Sequence, residues 1–438
     1  MTQLEIHKPN IGFADLGLAP ILVDVITRLG FTTPSPIQAK AIPVALTGAD
    51  LMGIAQTGTG KTLAFGLPML QQLAKNKGTG LIILPTRELA MQVEETLAAF
   101  SSSFGLRTAI LVGGAPMNKQ LQALRQNPHV IVATPGRLND HLDHKTVNLT
   151  NVRFLVLDEA DRMLDMGFEP QIKRILATVP KDRQTALFSA TMPEKIKEMA
   201  LRYMRSPLTV EIARAGSTGE QIIQEMYFVS KESKLQLLDK MLTDHPGSVL
   251  VFSRTKHGAR KLADKVRGMG HTSADIHSNR SLSQRQAALS GFKSGKYRVL
   301  VATDIAARGI DVQDIGLVVN YDLPDNPEDY VHRIGRTGRA GKKGKAVSFA
   351  EHNQRRDVKD IERLMKRSIP ETPVAGLPAP RQLVPGQTHS IERPERSGLQ
   401  NRNNRHPRTG NVMDKSRRPN FQNRAPRRPH FGSSFGHK

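Results

Sequence analysis

The stretch Ala55-Gln-Thr-Gly-Thr-Gly-Lys-Thr62 decides how this chain is read. It follows an apolar run, Leu51-Met-Gly-Ile54, and precedes a helix-like stretch, Leu63-Ala-Phe-Gly-Leu-Pro-Met-Leu70. A strand that turns through glycines into a helix makes a phosphate cradle. Glycine lets the backbone come close, and its N–H groups point at the anion. In that geometry Lys61 reaches the β/γ-phosphates and the Thr62 hydroxyl binds Mg²⁺. The strict pattern G-x-x-x-x-G-K-[ST] asks for glycine where this chain has Ala55. On its own, then, the stretch also reads as a Gly-rich turn before a helix.

Composition sets the bounds. A chain of 438 residues has room for two or three domains, at roughly 100–200 residues each. No apolar run approaches the roughly 18 residues of a membrane span. The first ten residues, Met1-Thr-Gln-Leu-Glu-Ile-His-Lys-Pro-Asn10, lack the apolar centre of a signal peptide. Cysteine is absent, which excludes disulfides, thiolate zinc sites and thiol nucleophiles and is compatible with a reducing cytoplasm. The expected location is cytoplasmic, with no membrane partner. The net charge of +23 points to a polyanion, most simply nucleic acid, or else to a well-solvated basic surface.

Working outward from the cradle, short aliphatic runs end in chemically loaded residues and helical stretches follow. Leu81-Ile-Ile-Leu84 leads to Pro85-Thr-Arg-Glu-Leu-Ala90, and Val130-Ile-Val-Ala133 to Thr134-Pro-Gly-Arg-Leu138. Phe154-Leu-Val-Leu157 leads to Asp158-Glu-Ala-Asp161, and Thr185-Ala-Leu-Phe188 to Ser189-Ala-Thr191. The alternation predicts an α/β fold with a parallel sheet covered on both faces by helices. Ligands on such sheets bind beyond the carboxyl ends of the strands, where every loaded segment falls. Residues 211–221 are small and polar and read as a linker. A second series follows: Val249-Leu-Val-Phe252 to Ser253, Val299-Leu-Val-Ala302 to Thr303, and Leu317-Val-Val-Asn320 to Tyr321. This unit has no phosphate cradle of its own and reads as a partner that completes the first unit's site. A helix over 354–367 closes it.

Beyond residue 376 the aliphatic runs stop. The segment 376–438 holds 13 Lys+Arg, eleven of them Arg, against 3 Asp+Glu, and so carries +10 of the +23. It also has eight prolines, six asparagines and the phenylalanines Phe421, Phe431 and Phe435. Such a segment buries too little apolar surface to offset its ordering entropy, so it is expected to be disordered. Arg–phosphate contacts and base stacking on Phe would suit it to single-stranded nucleic acid. A solubilising tail is the alternative.

The chemistry reads as follows. Asp158-Glu159, 97 positions after Lys61 and behind a strand, is the acidic partner of a phosphate loop. One carboxylate would hold Mg²⁺ and the neighbouring glutamate would orient and deprotonate the attacking water. In Gly30-Phe-Thr-Thr-Pro-Ser-Pro-Ile-Gln38, the Gln38 amide can pair with adenine N6 and N7, with Phe13 or Phe31 to stack. In Tyr330-Val-His-Arg-Ile-Gly-Arg-Thr-Gly-Arg-Ala-Gly341, Arg333, Arg336 and Arg339 recur at spacings of three, which on a helix or turn places them on one side. Clustered arginines commonly make a solvated face or a phosphate patch. As fingers reaching across a cleft they contribute on the order of 10³–10⁵ in rate.

Together these motifs, over about residues 13–364, resemble the DEAD-box ATP-dependent RNA helicases of the bacterial RhlE-like kind. The resemblance implies two tandem RecA-like domains, each a parallel sheet covered by helices, at 1–210 and 222–375, joined by the linker 211–221 and followed by the disordered basic tail 376–438. It implies ATP and Mg²⁺ as cofactors. Phe13, Phe31 and Gln38 would recognise adenine; Ala55, Gln56, Thr57, Gly58, Thr59, Gly60, Lys61 and Thr62 would be the phosphate loop, alanine being tolerated first. Thr62 and Asp158 would hold the metal and Glu159 the water. Gly309 and Asp311 would meet the nucleotide, Asp311 at the ribose, and Arg336 and Arg339 would be the fingers. Asp161, Ser189, Thr191, His332 and Arg333 would couple ATP to RNA. First-domain contacts to the RNA backbone would come from Pro85, Thr86, Arg87, Gly113, Gly114, Thr134, Gly136 and Arg137. Second-domain contacts would come from Arg254, Thr255, Asn279, Arg280, Thr303 and Asp304. Backbone contacts bring affinity without sequence choice, so the implied partner is single-stranded or duplex RNA with little sequence preference. Ribosome-assembly or RNA-degradation machinery would be the protein partners. The implied activity is RNA-stimulated ATP hydrolysis with local, non-processive unwinding or remodelling. An ATP-gated RNA clamp and a DNA-directed helicase share most of these motifs and are the alternatives.

Overall fold

The computed structural model describes residues 11–56, 58–212, 222–307, 315–338, 343–374 and 376–377, all within one compact unit. Among these residues the aliphatic runs form two sheets. The first comprises β1 (Leu51–Ile54), β2 (Thr79–Ile83), β3 (Thr108–Leu111), β4 (Val130–Ala133), β5 (Val152–Leu157), β6 (Gln184–Ser189) and β7 (Leu208–Glu211), in the order β3-β4-β2-β5-β6-β1-β7. The second comprises β8 (Ile222–Phe228), β9 (Val249–Phe252), β10 (Ser273–Ile276), β11 (Val299–Ala302), β12 (Leu317–Asn320) and β13 (Gly344–Ala350), in the order β10-β11-β9-β12-β13-β8. Every ladder in both sheets is parallel.

Two-sided burial explains why the central strands are continuous apolar runs rather than alternating ones. In β5, Phe154 and Val156 pack into one core with Phe65 and Val93, while Leu155 and Leu157 pack into another with Ile172 and Ile196. In β9, Leu250 and Phe252 face one way and Val249 and Val251 the other, again into separate cores. Each sheet therefore separates two apolar layers, and the helices close over them.

Strands without an aliphatic run do not stand out in the sequence. The edge strand β8 alternates buried with more exposed positions, Ile223 pointing outward. The edge strand β10 carries Asp275, buried because Arg280 pairs with it through both ends of the guanidinium (2.7 and 2.6 Å). Glu211, where the linker was expected to begin, is instead the last residue of β7 and lies opposite Ile54. The Ile212 N–H continues this pairing by donating to Ile54 O (3.1 Å). The rest of the expected linker, 213–221, and the tail from 378 lie outside the described residues. The closing helix is Arg355–Met365, ended by Lys366 in the left-handed region (φ 53°).

The strand that carries the cradle is tightly held. A Cβ at Gly53 of β1 would lie 2.4 Å from the Phe188 ring on β6. Phe188 in turn packs against Phe65, ring centroids 5.5 Å apart, on the helix Lys61–Lys75. Glycine is thus required for β1 to lie under Phe188. Gly53→Ala is expected to destabilise the fold by about 1–3 kcal/mol through overpacking, read as a lower midpoint in urea unfolding. An unchanged midpoint would contradict this packing.

Candidate functional site

The cradle starts where β1 ends. The Ala55 N–H donates to Ser189 O (3.0 Å), which fastens the loop to the end of β6. Ala55 is buried and keeps a negative φ, so nothing in the turn requires glycine there. That is the physical reason why the departure from the strict pattern is harmless. Gly58 and Gly60 do need positive φ (82° and 91°). Gly60 then caps the helix Lys61–Lys75. Lys61 is buried; its Nζ donates to Ala55 O (3.1 Å) and lies 3.8 Å from Asp158 Oδ1. The Thr59 hydroxyl donates to Gln56 O (2.7 Å). Thr57 lies outside the described residues.

Gln38 has a role that its sequence context did not show. Its Oε1 accepts the Ser35 N–H (2.8 Å) and its Nε2 donates to Gly60 O (3.0 Å). It braces the cradle from the neighbouring helix Pro36–Leu46. A Cβ at Gly60 would meet this amide at 2.4 Å. The two candidate stacking rings part company. Phe13 is 4% exposed and belongs to the first core, so its ring is packed rather than presented. Phe31, 43% exposed, is the one available to stack.

β5 delivers the acidic group. Glu159 takes a left-handed conformation (φ 53°, ψ 48°) before the helix Ala160–Asp165, a strained geometry for a residue with a side chain. Its N–H donates to Asp158 Oδ1 (2.9 Å). Its Oε2 accepts from Arg162 (2.8 Å), with both side chains buried. Asp161 Oδ2 accepts three bonds from the end of β6: the Thr191 N–H (2.9 Å), the Thr191 hydroxyl (2.9 Å) and the Ala190 N–H (3.1 Å). The Asp161 N–H donates to Ser189 Oγ (3.3 Å). The acidic segment and the segment 189–191 are therefore one hydrogen-bonded unit. Arg162 is the buried residue that the sequence reading missed. Its only signal is the Glu-x-x-Arg spacing at a helix start.

The electrostatics follow from burial. Burial pushes the Asp158 carboxyl up to about 6, with Lys61 pulling it down and Glu159 adding to the rise. Burial would raise Asp161 too, but Lys61, the Thr191 hydroxyl and N–H, and Arg162 together hold it below the ordinary carboxylate value. A buried carboxylate whose nearest cation, Lys61, stands 3.8 Å away is an oxygen donor suited to a hard divalent cation that keeps other ligands on substrate and water. Among the described residues there is no cluster of three or more His, Cys, Asp or Glu that would hold a metal without such help.

In the second sheet the helix Pro327–Ile334 ends before Arg336, so helical periodicity does not carry from Arg333 to Arg336. Arg333 is buried and structural. It grips Asp304 with two bonds (2.5 and 2.7 Å), donates to Asn320 Oδ1 and Asp322 O, and stacks on Phe252. Arg336 is buried, its Nε donating to His332 O (3.2 Å), and His332 is half-buried on the same helix. Arg339, Gly309 and Asp311 lie outside the described residues.

The expected RNA contacts of the first sheet come together. Arg87 sits against the turn Gly113-Gly114, its guanidinium 3.3 and 2.5 Å from where Cβ atoms would be. Arg137 donates to Ala115 O (3.2 Å) in that same turn. Thr86 caps the helix Arg87–Ser101, accepting from the Leu89 N–H, and Thr134 precedes the helix Pro135–Asp143, whose second residue, Gly136, is exposed. Pro85 is buried at the same strand end. On the second sheet Arg254 pairs with Asp325 (3.4 Å) and Arg280 with Asp275, while Thr255 caps the helix Lys256–Gly268. Asn279 is exposed, and Thr303 and Asp304 are half-buried. Among the described residues no helix is long and apolar enough to cross a membrane.

Residues 35–199 match the family described as DEAD/DEAH box helicase, and residues 233–341 match the helicase conserved C-terminal domain. The ATP-dependent RNA helicase DeaD of Escherichia coli (strain K12) is 46% identical over 363 residues, which are 82% of this chain and 58% of that protein. This chain thus spans less than two thirds of the length of that relative. The DEAD-box ATP-dependent RNA helicase CshA of Bacillus thuringiensis (strain Al Hakam) is 42% identical over 394 residues, 89% of this chain and 74% of that protein. The structure of S. cerevisiae Dbp5 bound to RNA and ADP BeF3 superposes with a TM-score of 0.75 at 34% identity, covering 83% of this chain and 95% of that one. The two sheets are tandem RecA-like domains, referred to below as the first and second lobes.

Because the folded protein favours protonated Asp158, ionising this group costs stability as pH rises through about 6. Asp158→Asn is expected to raise the stability of the nucleotide-free protein in EDTA at pH 7.5 by about 1–3 kcal/mol. That gain should shrink towards pH 4. Thermal unfolding at the two pH values checks it, and a loss of stability at pH 7.5 would contradict it.

Proposed function

The chain belongs to the DEAD/DEAH box helicase family, and on that footing we propose that it is an ATP-dependent RNA helicase of the bacterial RhlE-like kind. Its ATP hydrolysis is stimulated by RNA and coupled to closure of the two lobes, with local, non-processive unwinding or remodelling of RNA duplexes and RNA–protein complexes. The observation that carries this reading is the shared network at the ends of β1, β5 and β6. Lys61 faces Asp158, while Asp161 is fastened to Thr191 and Ser189.

The residues divide the work. The cradle N–H groups and Lys61 bind the phosphates, and Gln38 holds the cradle at Gly60 while recognising adenine, with Phe31 to stack. Thr62 and Asp158 would hold Mg²⁺, which neutralises charge on the β- and γ-phosphates. Arg162 fixes Glu159 through Oε2. That leaves the rest of the carboxylate to orient the attacking water and take its proton. Arg336 and Arg339 stabilise the charge that develops on the transferred phosphoryl group. Asp311 meets the ribose. Arg87, the turn Gly113-Gly114 and Arg137 hold the sugar–phosphate backbone from the first lobe, and the segments 254–255, 279–280 and 303–304 hold it from the second. Such contacts grip without reading sequence, and RNA is preferred over DNA through its 2′-hydroxyl. Because RNA and ATP each span both lobes, each favours closure for the other. Closure bends one strand away from duplex geometry and displaces its partner. The setting is cytoplasmic, with ribosome-assembly or RNA-degradation machinery as protein partners.

Glu159→Gln is expected to retain ATP and RNA binding and to lose turnover, by on the order of 10²-fold or more. Binding titrations beside steady-state phosphate release check it, and normal turnover would remove Glu159 from its role. Deleting the chain from residue 376 should weaken RNA binding. It should also reduce the slope of log K against log salt by roughly 0.7 for each phosphate that the shortened chain no longer neutralises. An unchanged slope would mark the segment as a solubiliser.

A further inference from the structure

Behind the turn Gly113-Gly114 stands a hydrogen-bonded relay with no part in the site described above. Gln120 is the buried residue of the helix Met117–Arg125, 4% exposed. Its Nε2 donates to Val112 O and to Ala115 O, both at 3.2 Å. These two carbonyls bracket the glycine pair. Its Oε1 meets His141 Nε2 at 3.3 Å. His141 is fully buried on the helix Pro135–Asp143, one turn after Arg137. Residues at i and i+4 share a helix face, and Arg137 itself donates to Ala115 O (3.2 Å). The relay ends at Thr146, whose Oγ1 is 2.7 Å from His141 Nδ1.

The partners fix every role in this relay. Both hydrogens of the Gln120 amide go to carbonyls, so its oxygen must accept from His141. His141 Nε2 then carries the proton, and Nδ1 accepts from the Thr146 hydroxyl. Burial first, and the positive charge of Arg137 after it, hold the ring's pKa below its ordinary value, in keeping with this neutral form. A flipped Gln120 amide would set its oxygen against two carbonyl oxygens, so the amide is locked. The turn needs such support, because its glycines bring no side chains and Gly114 is left-handed (φ 79°). In a planar trans peptide the C=O and N–H point opposite ways. With Val112 O held inward, the Gly113 N–H faces the outer side of the turn, where Gly114 is exposed and Arg87 packs. The Ala115–Pro116 peptide has no N–H, and its carbonyl takes both Gln120 and Arg137.

We propose that Gln120 and His141 are positioning residues for RNA. Gln120, aligned by His141, fixes the turn so that the Gly113 N–H and Arg87 meet the same stretch of phosphate backbone. Neither Gln120 nor His141 touches RNA or ATP. The pair also ties the turn to the helix of Arg137, which makes the segments 113–115 and 134–137 one hydrogen-bonded surface. The inference rests on the reading of the chain as an RNA-stimulated ATPase.

The test is binding of a fluorescent single-stranded oligouridylate by the full chain with a non-hydrolysable ATP analogue present, beside the KM for ATP, the RNA-free ATPase rate and thermal unfolding. Gln120→Leu keeps the bulk and removes the amide. It is expected to weaken RNA binding about tenfold, with the KM for ATP and the RNA-free rate unchanged. His141→Gln can place an amide nitrogen where Nε2 stands and is expected to keep its RNA affinity. His141→Leu cannot, and should weaken binding as Gln120→Leu does. Replacing both residues by Leu should weaken it no further than Gln120→Leu alone, because both act through one amide. The proposal is overturned if Gln120→Leu binds RNA as the unaltered protein does, or if ATP binding is lost in step with RNA binding. It is overturned equally if His141→Gln and His141→Leu bind RNA alike, and these two variants decide the matter should Gln120→Leu fail to fold. Failure of the unaltered protein to bind the RNA would instead defeat the underlying reading.

Discussion

Five charged side chains have been taken out of water at one corner of the first lobe, and the rest of the site depends on how they neutralise one another. Lys61, Asp158, Glu159, Asp161 and Arg162 are each no more than 6% exposed. Burial of a lone charge costs several kcal/mol, and each of these has a charged or hydrogen-bonding partner within the group. Lys61 faces Asp158, Arg162 grips Glu159, and Asp161 takes three bonds from residues 190 and 191. The strand order makes this possible. β5, β6 and β1 are neighbours in a parallel sheet, so their carboxyl ends open side by side. Asp158 is the least compensated of the carboxylates, burial raising it to about 6 even with Lys61 beside it.

That arrangement also explains what the sequence made legible. Buried central strands must be aliphatic at every position, and the residues that follow them must carry the chemistry. Val130–Ala133, Val249–Phe252, Val299–Ala302 and Leu317–Asn320 could therefore be bounded to the residue. Edge strands obey a weaker rule. β8 needs only alternate apolar positions, and β10 tolerates Asp275 because Arg280 answers it. The acid, the cradle and the segment 189–191 were legible as pieces. Their joining through Asp161 was not, because hydrogen bonds between residues some thirty positions apart leave no local pattern.

What stayed unread in the sequence has a common origin. An arginine, a phenylalanine or a glutamine reads as a ligand contact when its neighbours are unknown. Phe13 turns out to be core, Arg333 a buried clamp on Asp304 and Gln38 a brace for Gly60. Each satisfies an internal demand of the fold first. The Gln120–His141 pair belongs to the same class. Invisible in sequence at a separation of 21 residues, it stands behind the turn Gly113-Gly114.

The central claim is that ATP chemistry in the first lobe is gated by RNA held across both. The most direct measurement is the steady-state rate of ATP hydrolysis by the full chain alone, with single-stranded RNA, and with DNA of the same sequence. RNA should raise the rate at least tenfold and DNA should leave it near the basal level. A rate indifferent to RNA, or raised equally by DNA, would contradict the account.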